Sequence, residues 1–427
     1  MKKLLFLFSS FSLALFSCKK KDEISPYIQI TSPNEYSNHN VLDTVAVVGT
    51  VSDNEHLEYI KISLLNENNI TVASVVTLFP ETNEYALNRE FIIDNILLES
   101  GEYSLLVTAS DGENETRRYI EITLNEAVRE LTGILFAETP SANSVEIKKI
   151  KPDLSVQQVA FAAGDFSSTE ASSKNQAFYM AGSETGSLRA FEMFNNSEQW
   201  SVQANPLSGA PYFSDVYEDD GTLYVSFFDG ILKAFDKYGT VKQQIDVSGY
   251  NCFKIYKLGN YIFSEQQQIG TSNRRLVLYD ASSAEEVQSV QLDMEIVAFC
   301  KRNDDNVFVF GNSGTQGYMK NYVISDNGFW EPHPMEPGKV LSAERIDDNS
   351  FLIGQEGTVY KYTYNPNSLT EYLPAVNASF IKYEPLNNLV ILSQTSSVKF
   401  YNYNNASLVN SVTASSEIKS LSLLYNK

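Results

Sequence analysis

Residues 211–249 read PYFSDVYEDDGTLYVSFFDGILKAFDKYGTVKQQIDVSG and contain four short runs rich in apolar and aromatic residues. Polar turns at residues 218–221, 229–230 and 236–239 separate these runs. Short alternating runs of this kind are typical of half-buried strands, and an Asp-Gly pair favours a tight hairpin. The stretch therefore predicts four consecutive antiparallel strands.

The same succession recurs with a period of roughly forty residues along the rest of the chain. Five further copies begin near Ser168, Tyr250, Glu295, Val340 and Ala378. A repeated unit of four strands joined by tight turns is the pattern of a propeller blade. Six blades are thus predicted between residues 168 and 415.

The two ends of this region supply the strands of one more blade. Residues 416–424 form one strand-like run, and residues 133–136, 144–150 and 155–161 form three more. Pairing them would leave no open sheet edge, which is a hazard for aggregation. We therefore expect residues 126–427 to form a seven-bladed β-propeller, closed by pairing the C-terminal strand with the first repeat. Six or eight blades, an irregular β-sandwich or an open sheet are the alternatives.

One blade also carries a family resemblance. Residues 223–236, LYVSFFDGILKAFD, resemble the repeat of PQQ-type propellers, whose blades are built like those of WD40 domains. The Trp that usually closes that repeat is absent. The resemblance implies blade architecture and does not imply bound PQQ.

The region before the repeats has a different pattern. Seven strand-like runs, bounded by Asn, Asp and Gly, lie at residues 27–31, 44–52, 57–65, 72–78, 84–92, 101–110 and 116–124. Such spacing predicts an immunoglobulin-like β-sandwich over residues 27–125. Residues 101–112, GEYSLLVTASDG, and 118–124, RYIEITL, resemble the last hairpin of PKD-type and related bacterial Ig-like domains. The expected fold class is all-β, an Ig-like sandwich followed by the propeller.

The first residues predict export. Met1-Lys2-Lys3 precede an apolar or small-residue run at residues 4–17, which is shorter than the roughly 20 residues of a membrane span. Residues 15–18, LFSC, resemble the bacterial lipobox, which implies a signal peptide at 1–17, a diacylated Cys18 and a tether at 18–26. Lys21-Asp22-Glu23 resembles the surface-export signal of Bacteroidota lipoproteins, although a solvated charged tether explains it equally well. Both interpretations predict a lipid anchor in the outer membrane, with the protein facing the cell surface in the first.

Charge narrows the range of partners. The chain carries a net charge of −21 and has a sequence pI near 4.6. Such a surface repels phosphate backbones, so we expect no nucleic-acid partner.

Catalytic and metal-binding motifs are sparse. The three His residues are His39, His56 and His333, and none has metal-ligand spacing to another His, Cys or carboxylate. No Gly-x-Ser-x-Gly elbow occurs, so we do not expect an enzyme, although paired carboxylates for glycoside hydrolysis remain an alternative.

A calcium site is the one cofactor hypothesis that the sequence supports. Asp53, Glu55 and Asp111 follow strand ends and can meet at one end of the sandwich, where their oxygens suit Ca²⁺. The alternative is that these residues only form turns. No other cofactor is expected.

Candidate ligand-binding residues follow from the blade pattern, because loops at one mouth of a propeller channel form a concave surface. Comparable loop positions are held by Tyr212, Asp229, Gln267, Asn312, Gln355 and Gln394. Trp330 is a further candidate as an exposed aromatic ring, with core packing as its alternative.

Three more residues are assigned to the interior. We expect Trp200 to pack between blades. Cys252 and Cys300 fall in different rows of neighbouring blades, which predicts two buried free thiols rather than a disulfide.

The whole pattern resembles the accessory surface lipoproteins of Bacteroidota, some of which capture glycans or polypeptides beside an outer-membrane transporter. The resemblance implies a binding protein, monomeric or part of a membrane complex, with a protein or glycan ligand. In this hypothesis the Ig-like domain is a spacer that lifts the propeller from the membrane. The alternatives are a polysaccharide-acting propeller enzyme and a periplasm-facing scaffold for an outer-membrane complex.

Overall fold

The computed structural model describes residues 22–207 and 209–427. Cys18 and the predicted signal peptide therefore lie outside the described residues. The described chain divides into two compact units, with the first ending at Val128 and the second beginning at Arg129. Across residues 22–207 and 209–427, no helix has the length and apolar character needed to span a membrane.

The first unit consists of two sheets. Its strands are β1 (Tyr27–Ser32), β2 (Ser37–Asn40), β3 (Thr44–Ser52), β4 (Tyr59–Leu65), β5 (Val76–Leu78), β6 (Glu84–Ile92), β7 (Gly101–Ser110) and β8 (Glu115–Asn125). One sheet has the order β1-β3-β6 and the other the order β2-β8-β7-β4-β5. The runs predicted from the sequence correspond to seven of these strands. β2 was not predicted, because its residues have no apolar alternation and it forms by pairing in parallel with β8.

Both sheets contribute to one apolar core. Val47 of β3, Ile62 of β4 and Val107 of β7 are fully buried in it. Along β3 and β6, outward residues alternate with buried ones, as period-two strands require when one face packs on a core. The apolar faces of the two sheets therefore stabilise this unit.

The second unit consists of seven four-stranded antiparallel sheets. Its first strands are β9 (Leu131–Ser141), β10 (Ser144–Ile150), β11 (Val156–Ala163), β12 (Ser168–Ser172), β13 (Ala177–Ala181), β14 (Leu188–Glu192), β15 (Ser197–Val202), β16 (Phe213–Asp219), β17 (Thr222–Phe227), β18 (Ile231–Phe235), β19 (Val241–Asp246), β20 (Tyr250–Leu258), β21 (Tyr261–Gln268), β22 (Arg274–Asp280) and β23 (Glu286–Leu292). The remaining strands are β24 (Glu295–Lys301), β25 (Asn306–Ser313), β26 (Gln316–Val323), β27 (Gly328–Trp330), β28 (Val340–Arg345), β29 (Ser350–Gln355), β30 (Thr358–Thr363), β31 (Ser368–Pro374), β32 (Phe380–Glu384), β33 (Leu389–Gln394), β34 (Ser397–Asn402), β35 (Leu408–Thr413) and β36 (Ile418–Tyr425).

Six of these sheets are built from four consecutive strands, beginning with β12, β16, β20, β24, β28 and β32. The seventh has the order β11-β10-β9-β36, so it combines both ends of the unit. In it Leu421 pairs with Phe136 and Leu423 pairs with Ile134. The C-terminal strand thus covers the edge that β9 would otherwise leave open.

We call β12, β16, β20, β24, β28, β32 and β36 the inner strands. Each lies beside the inner strand of the next sheet, and β36 lies beside both β32 and β12. The inner strands therefore follow one another in a ring.

Large apolar side chains fill the space between neighbouring sheets. Trp200 of β15 lies with its ring centroid 5.7 Å from that of Phe235 in the next sheet and 6.0 Å from that of Tyr179 in its own. The predicted packing of Trp200 between sheets is thus confirmed. Cys252 and Cys300 are both buried and free, in separate apolar clusters, as expected.

Candidate functional site

A cavity of about 430 Å³ lies among the inner strands of the second unit. All seven inner strands contribute to its lining. Its volume falls in the range of about 300–1,000 Å³ that small-ligand sites occupy. We call it the channel cavity.

Asp215 and Lys254 form one ion pair in the channel cavity. The Lys254 Nζ lies 3.0 Å from Asp215 Oδ1, and the carboxylate is buried. Asp215 also accepts hydrogen bonds from the Ser168 hydroxyl, at 3.0 Å, and from the Ile255 amide, at 3.3 Å. Burial opposes the charge of Lys254, but Asp215 outweighs it and the pKa of Lys254 is raised. Asp215 therefore ties three inner strands together.

Glu344 and Lys382 form a second, looser pair. Lys382 Nζ lies 3.8 Å from Glu344 Oε2, and Glu344 accepts a hydrogen bond from the Tyr383 amide at 3.3 Å. The pKa of Lys382 is raised, chiefly by the charge of Glu344. The pKa of Glu344 is also raised, because burial outweighs the effect of Lys382.

Glu170 of β12 is the third carboxylate of the channel cavity. Within residues 22–207 and 209–427, no side chain forms a hydrogen bond or ion pair with it. Burial raises its pKa to about 7, and the nearby charges of Asp215 and Glu218 add to this, while Lys382 acts in the opposite direction. Near neutral pH the protonated and the ionised forms of Glu170 are therefore both populated.

Three aromatic rings line the cavity on successive inner strands. The ring centroids of Tyr217 and Tyr256 are 4.9 Å apart, with the planes nearly perpendicular. Those of Tyr256 and Phe299 are 5.2 Å apart, with planes only 13° from parallel. Glu170, Tyr217, Tyr256 and Phe299 thus come from four neighbouring inner strands, β12, β16, β20 and β24. We call the three rings the aromatic wall.

Other buried acids hold the sheets together. Glu265 accepts hydrogen bonds from the Arg274 guanidinium at 2.8 Å and from the Ile296 amide of the next sheet at 3.2 Å. Glu138 accepts from the amides of Ser415 and Ser416, at 2.9 and 3.1 Å, where the chain enters β36. Burial, partly offset by Arg274, raises the pKa of Glu265 to about 7.

These acids and those of the channel cavity were not found from the sequence. The chain holds 53 Asp and Glu residues, so abundance hid them. An Asp or Glu inside a strand-like run could have identified them, as in FSDVYED of β16 and YIFSEQQQ of β21. A charge in a strand interior demands a partner or a function.

Comparisons with known proteins bear on the fold. No family model matches the chain, and no curated protein matches it. Among solved structures it is similar to a quinonprotein alcohol dehydrogenase-like protein from Bacteroides thetaiotaomicron, with a TM-score of 0.50 and 11% identity, over 94% of this chain and 99% of that one. Together with the ring of inner strands, this likeness decides the fold. The second unit is a β-propeller.

Two further likenesses are weaker. The designed protein Ika8 gives a TM-score of 0.48 at 14% identity, over 67% of this chain and 89% of that one. The WD40 domain of Pan2 from Neurospora crassa gives 0.45 at 10% identity, over 61% and 78%. At such identities the similarity concerns the fold alone.

The predicted loop residues of the propeller lie at the same end of their sheets, where the inner strands begin. Gln267, Asn312 and Gln355 pair with residues at the start of their inner strands. Gln394 ends β33, and its side-chain oxygen accepts a hydrogen bond from Lys399. Tyr212 packs edge-on against Phe213 and Phe227, and Asp229 is exposed in the turn after β17.

Several of these side chains form hydrogen bonds with the protein's own backbone. Asn312 donates to the Val340 carbonyl at 2.9 Å and accepts from the Val340 amide at 2.8 Å. Gln355 is fully buried and donates to the carbonyls of Glu336 and Gly338. Both amides therefore hold the segment that leads into β28. Gln267 donates to Thr271 within its own loop.

Trp330 lies elsewhere. It ends β27, the outermost strand of its sheet, and is 42% exposed. Its ring contacts Tyr364, at a centroid distance of 6.5 Å. Trp330 is thus an exposed aromatic at the rim, separate from the loop residues.

The predicted calcium ligands are brought together in part. Carboxylate oxygens of Asp22, Asp53 and Asp111 all lie within 4.8 Å of one another in the first unit. Glu55 is exposed and is not in this cluster; its amide donates to Asp53 instead. Asp53 Oδ2 is buried and lacks a hydrogen-bond partner among the described residues. Asp22 takes the position that Glu55 was expected to hold.

Asp111 is held in its ionised form. Burial alone would raise its pKa, but hydrogen bonds from Asn114 and Glu113 outweigh burial, so the pKa is lowered. The Glu113 and Asn114 amides each donate at 2.6 Å. A carboxylate oriented in this way suits a hard cation and equally closes a turn.

Proposed function

We propose that this protein is a lipid-anchored outer-membrane lipoprotein that binds a ligand in its propeller. The observation that carries the binding proposal is the channel cavity, which all seven inner strands line and which holds an unpaired carboxylate beside an aromatic wall. Charged groups that converge beside aromatic rings in a concave cavity are typical of small-ligand sites. The protein would act by binding rather than by chemistry.

The anchor proposal rests on the sequence of the first 23 residues. A basic start, a short apolar run and Cys18 support lipidation, and Lys21-Asp22-Glu23 supports the cell-surface face. We propose that the first unit, as an Ig-like spacer, separates the propeller from the membrane. Two sheets sharing one core, without a disulfide among the described residues, are compatible with that assignment.

The finer description of the propeller belongs to the same proposal. Each four-stranded sheet would be one blade, giving seven blades, and β36 would close the ring by pairing with β9. Closure of this kind ties the two ends of a propeller together and removes its open edges. It would also keep the channel cavity at a constant width.

Calcium binding by Asp22, Asp53 and Asp111 is a second proposal for the first unit. Its support is the unpartnered buried oxygen of Asp53 beside two further carboxylates. We expect 1 mM Ca²⁺ to raise the unfolding temperature of the full chain relative to EGTA, because a ligand of the folded state stabilises it. Asp53→Asn should lose this shift, whereas Asp326→Asn, at an exposed position in the second unit, should keep it. An equal shift in both variants would contradict the proposal.

Location and anchoring are tested in cells. Cys18→Ala should release the protein from the membrane fraction, and metabolic labelling with a fatty acid should disappear with it. Protease treatment of whole cells should remove the wild-type protein. Protection of the propeller in intact cells would favour the periplasm-facing alternative.

Binding is tested with purified full chain in detergent on glycan and peptide arrays. Ala343→Trp places a bulky side chain in the cavity lining, and Ala163→Trp does the same at an exposed site on β11. A ligand that binds the wild type and Ala163→Trp but does not bind Ala343→Trp would support the channel cavity as the binding site. Release of new reducing ends from a polysaccharide would establish the enzyme alternative instead.

A further inference from the structure

The charges of the channel cavity are unequally paired. Asp215 has Lys254 at 3.0 Å, and Glu344 has Lys382 at 3.8 Å. Lys419 of β36 also lines the cavity and pairs with Glu417 at 2.6 Å. Glu170 has no partner among the described side chains. When all seven of these groups are ionised, four carboxylates are balanced by only three lysines, and one negative charge stands uncompensated. Such a charge favours either a proton or a cationic ligand.

The position of Glu170 distinguishes these two outcomes. Tyr217 is close enough for the charge of Glu170 to raise its pKa further, after burial and Tyr256 have done so. The aromatic wall continues from Tyr217 through Tyr256 to Phe299. A cation near an aromatic face is attracted by the ring electrons, and the ring surfaces can cover an apolar body. A carboxylate in a cavity whose lining also includes three aromatic rings therefore favours an organic cation over a bare proton.

We propose that the channel cavity binds a small organic monocation, in which an ammonium group meets Glu170 and an apolar body packs on Tyr217, Tyr256 and Phe299. This inference rests on the proposed function and names the ligand class for its cavity. A doubly charged cation would leave one charge uncompensated. An anion would have to separate Lys254 from Asp215, Lys382 from Glu344, or Lys419 from Glu417 before it found a counter-charge.

Lys254 and Lys382 do not oppose this assignment strongly. Each is neutralised at short range by its own carboxylate, which also bonds to backbone amides of neighbouring strands. The ion pairs therefore act mainly as dipoles toward the ligand. The charged and titratable groups that face Glu170 are Asp215, Tyr217 and Glu218 of β16, Lys254 of β20 and Lys382 of β32. Lys419 of the adjacent strand β36 lines the same cavity and is held by Glu417.

The test uses three ligands of nearly equal size and different charge. Phenethylamine, 2-phenylethanol and phenylacetate are titrated into the purified full chain by isothermal titration calorimetry. We expect phenethylamine to bind at least about tenfold more tightly than the alcohol, since hydrogen bonds to charged groups contribute about 1.5–3 kcal/mol. Phenylacetate should not bind. Equal binding of amine and alcohol, or preferred binding of phenylacetate, would overturn the proposal.

The role of Glu170 is tested separately. Glu170→Gln should weaken phenethylamine binding at least about tenfold and leave 2-phenylethanol unchanged. Glu371→Gln, at an exposed site on β31, is the matched control and should change neither affinity. Retained amine affinity in Glu170→Gln would assign the binding to another group.

A pH series needs no variant and covers the case in which Glu170→Gln is unstable. A carboxyl group of pKa about 7 is about one-tenth ionised at pH 6 and nine-tenths at pH 8, so amine affinity should rise about tenfold between them. A flat profile would contradict the proposal. Suppose that phenethylamine does not bind, but that a ligand found on the arrays binds the wild type and not Ala343→Trp. The monocation inference is then wrong, and the proposed binding function stands. If no ligand depends on Ala343, both fail.

Discussion

Gly230 shows how single positions hold the propeller together. It occupies the turn between β17 and β18 with φ of +88°, a conformation that glycine adopts without strain. A Cβ atom there would lie 2.5 Å from the Val247 carbonyl oxygen and 2.7 Å from that of Tyr250. Both are backbone atoms, so neither can move aside without shifting its strand.

Gly357 provides a matched comparison. It lies in the corresponding turn between β29 and β30 with φ of +86°, and a Cβ atom there would meet nothing within 4 Å. We expect Gly357→Ala to cost about 1 kcal/mol of unfolding free energy, from backbone strain alone. Gly230→Ala should cost at least about 1–3 kcal/mol more, because it adds overpacking. Urea unfolding of both variants measures the difference, and equal losses would show that the close contact is relieved.

At the scale of elements, β36 decides whether the second unit is continuous. It lies between β9 and the inner strands β32 and β12, far from all of them in sequence. Six of its eight residues are buried, and an unpaired β9 edge would invite other chains to add to it. The strand therefore stabilises the unit through both pairing and burial.

A substitution at Leu424 tests how much β36 contributes to the free energy of unfolding. Its side chain is fully buried, whereas Leu408 on the outermost strand β35 is 55% exposed. We expect Leu424→Ala to lower the unfolding free energy by about 2–5 kcal/mol and Leu408→Ala by about 0.5 kcal/mol at most. Chemical unfolding followed by tyrosine and tryptophan fluorescence compares them. A small effect at Leu424 would mean that the propeller is stable without its C-terminal strand.

At the scale of the whole molecule, buried acids link stability to pH. Burial, as the main cause, raises the pKa values of Glu170 and Glu265 to about 7, above the ordinary value of 4.5. Between about pH 4.5 and 7 the folded chain therefore holds more protons than the unfolded chain, so stability falls as pH rises. Their stabilising contribution is fully present below about pH 4.5 and is lost above about pH 7.

Glu170→Gln isolates this effect, because Gln cannot ionise. We expect the variant to match the wild type near pH 5 and to be more stable near pH 8.5, by on the order of 1–3 kcal/mol. The stability of Glu371→Gln should equal that of the wild type at both pH values. Urea midpoints at the two pH values provide the measurement. A variant less stable than the wild type at pH 8.5 would show that the Glu170 carboxylate is stabilised by a partner.

The sequence by itself determined the local pattern. Alternation and turn residues in 211–249 predicted four strands, and their recurrence predicted the repeated sheets and the pairing of the two chain ends, because both signals depend only on near neighbours and on period. The same reasoning placed Trp200 between sheets and Cys252 and Cys300 in the interior.

Only the tertiary structure decided which polar residues meet. Glu170, Tyr217 and Lys382 stand on three inner strands, and Asp22, Asp53 and Asp111 on distant parts of the first unit. No spacing along the chain encodes these contacts, since ring order and strand register bring them together. Gln355 is a further example, because its loop position made it a candidate ligand-binding residue, whereas in the structure it is buried and donates to the Glu336 and Gly338 carbonyls. The energetic effect of a buried charge depends on the groups that pack beside it. Tertiary packing decides which groups these are, and separation along the sequence does not.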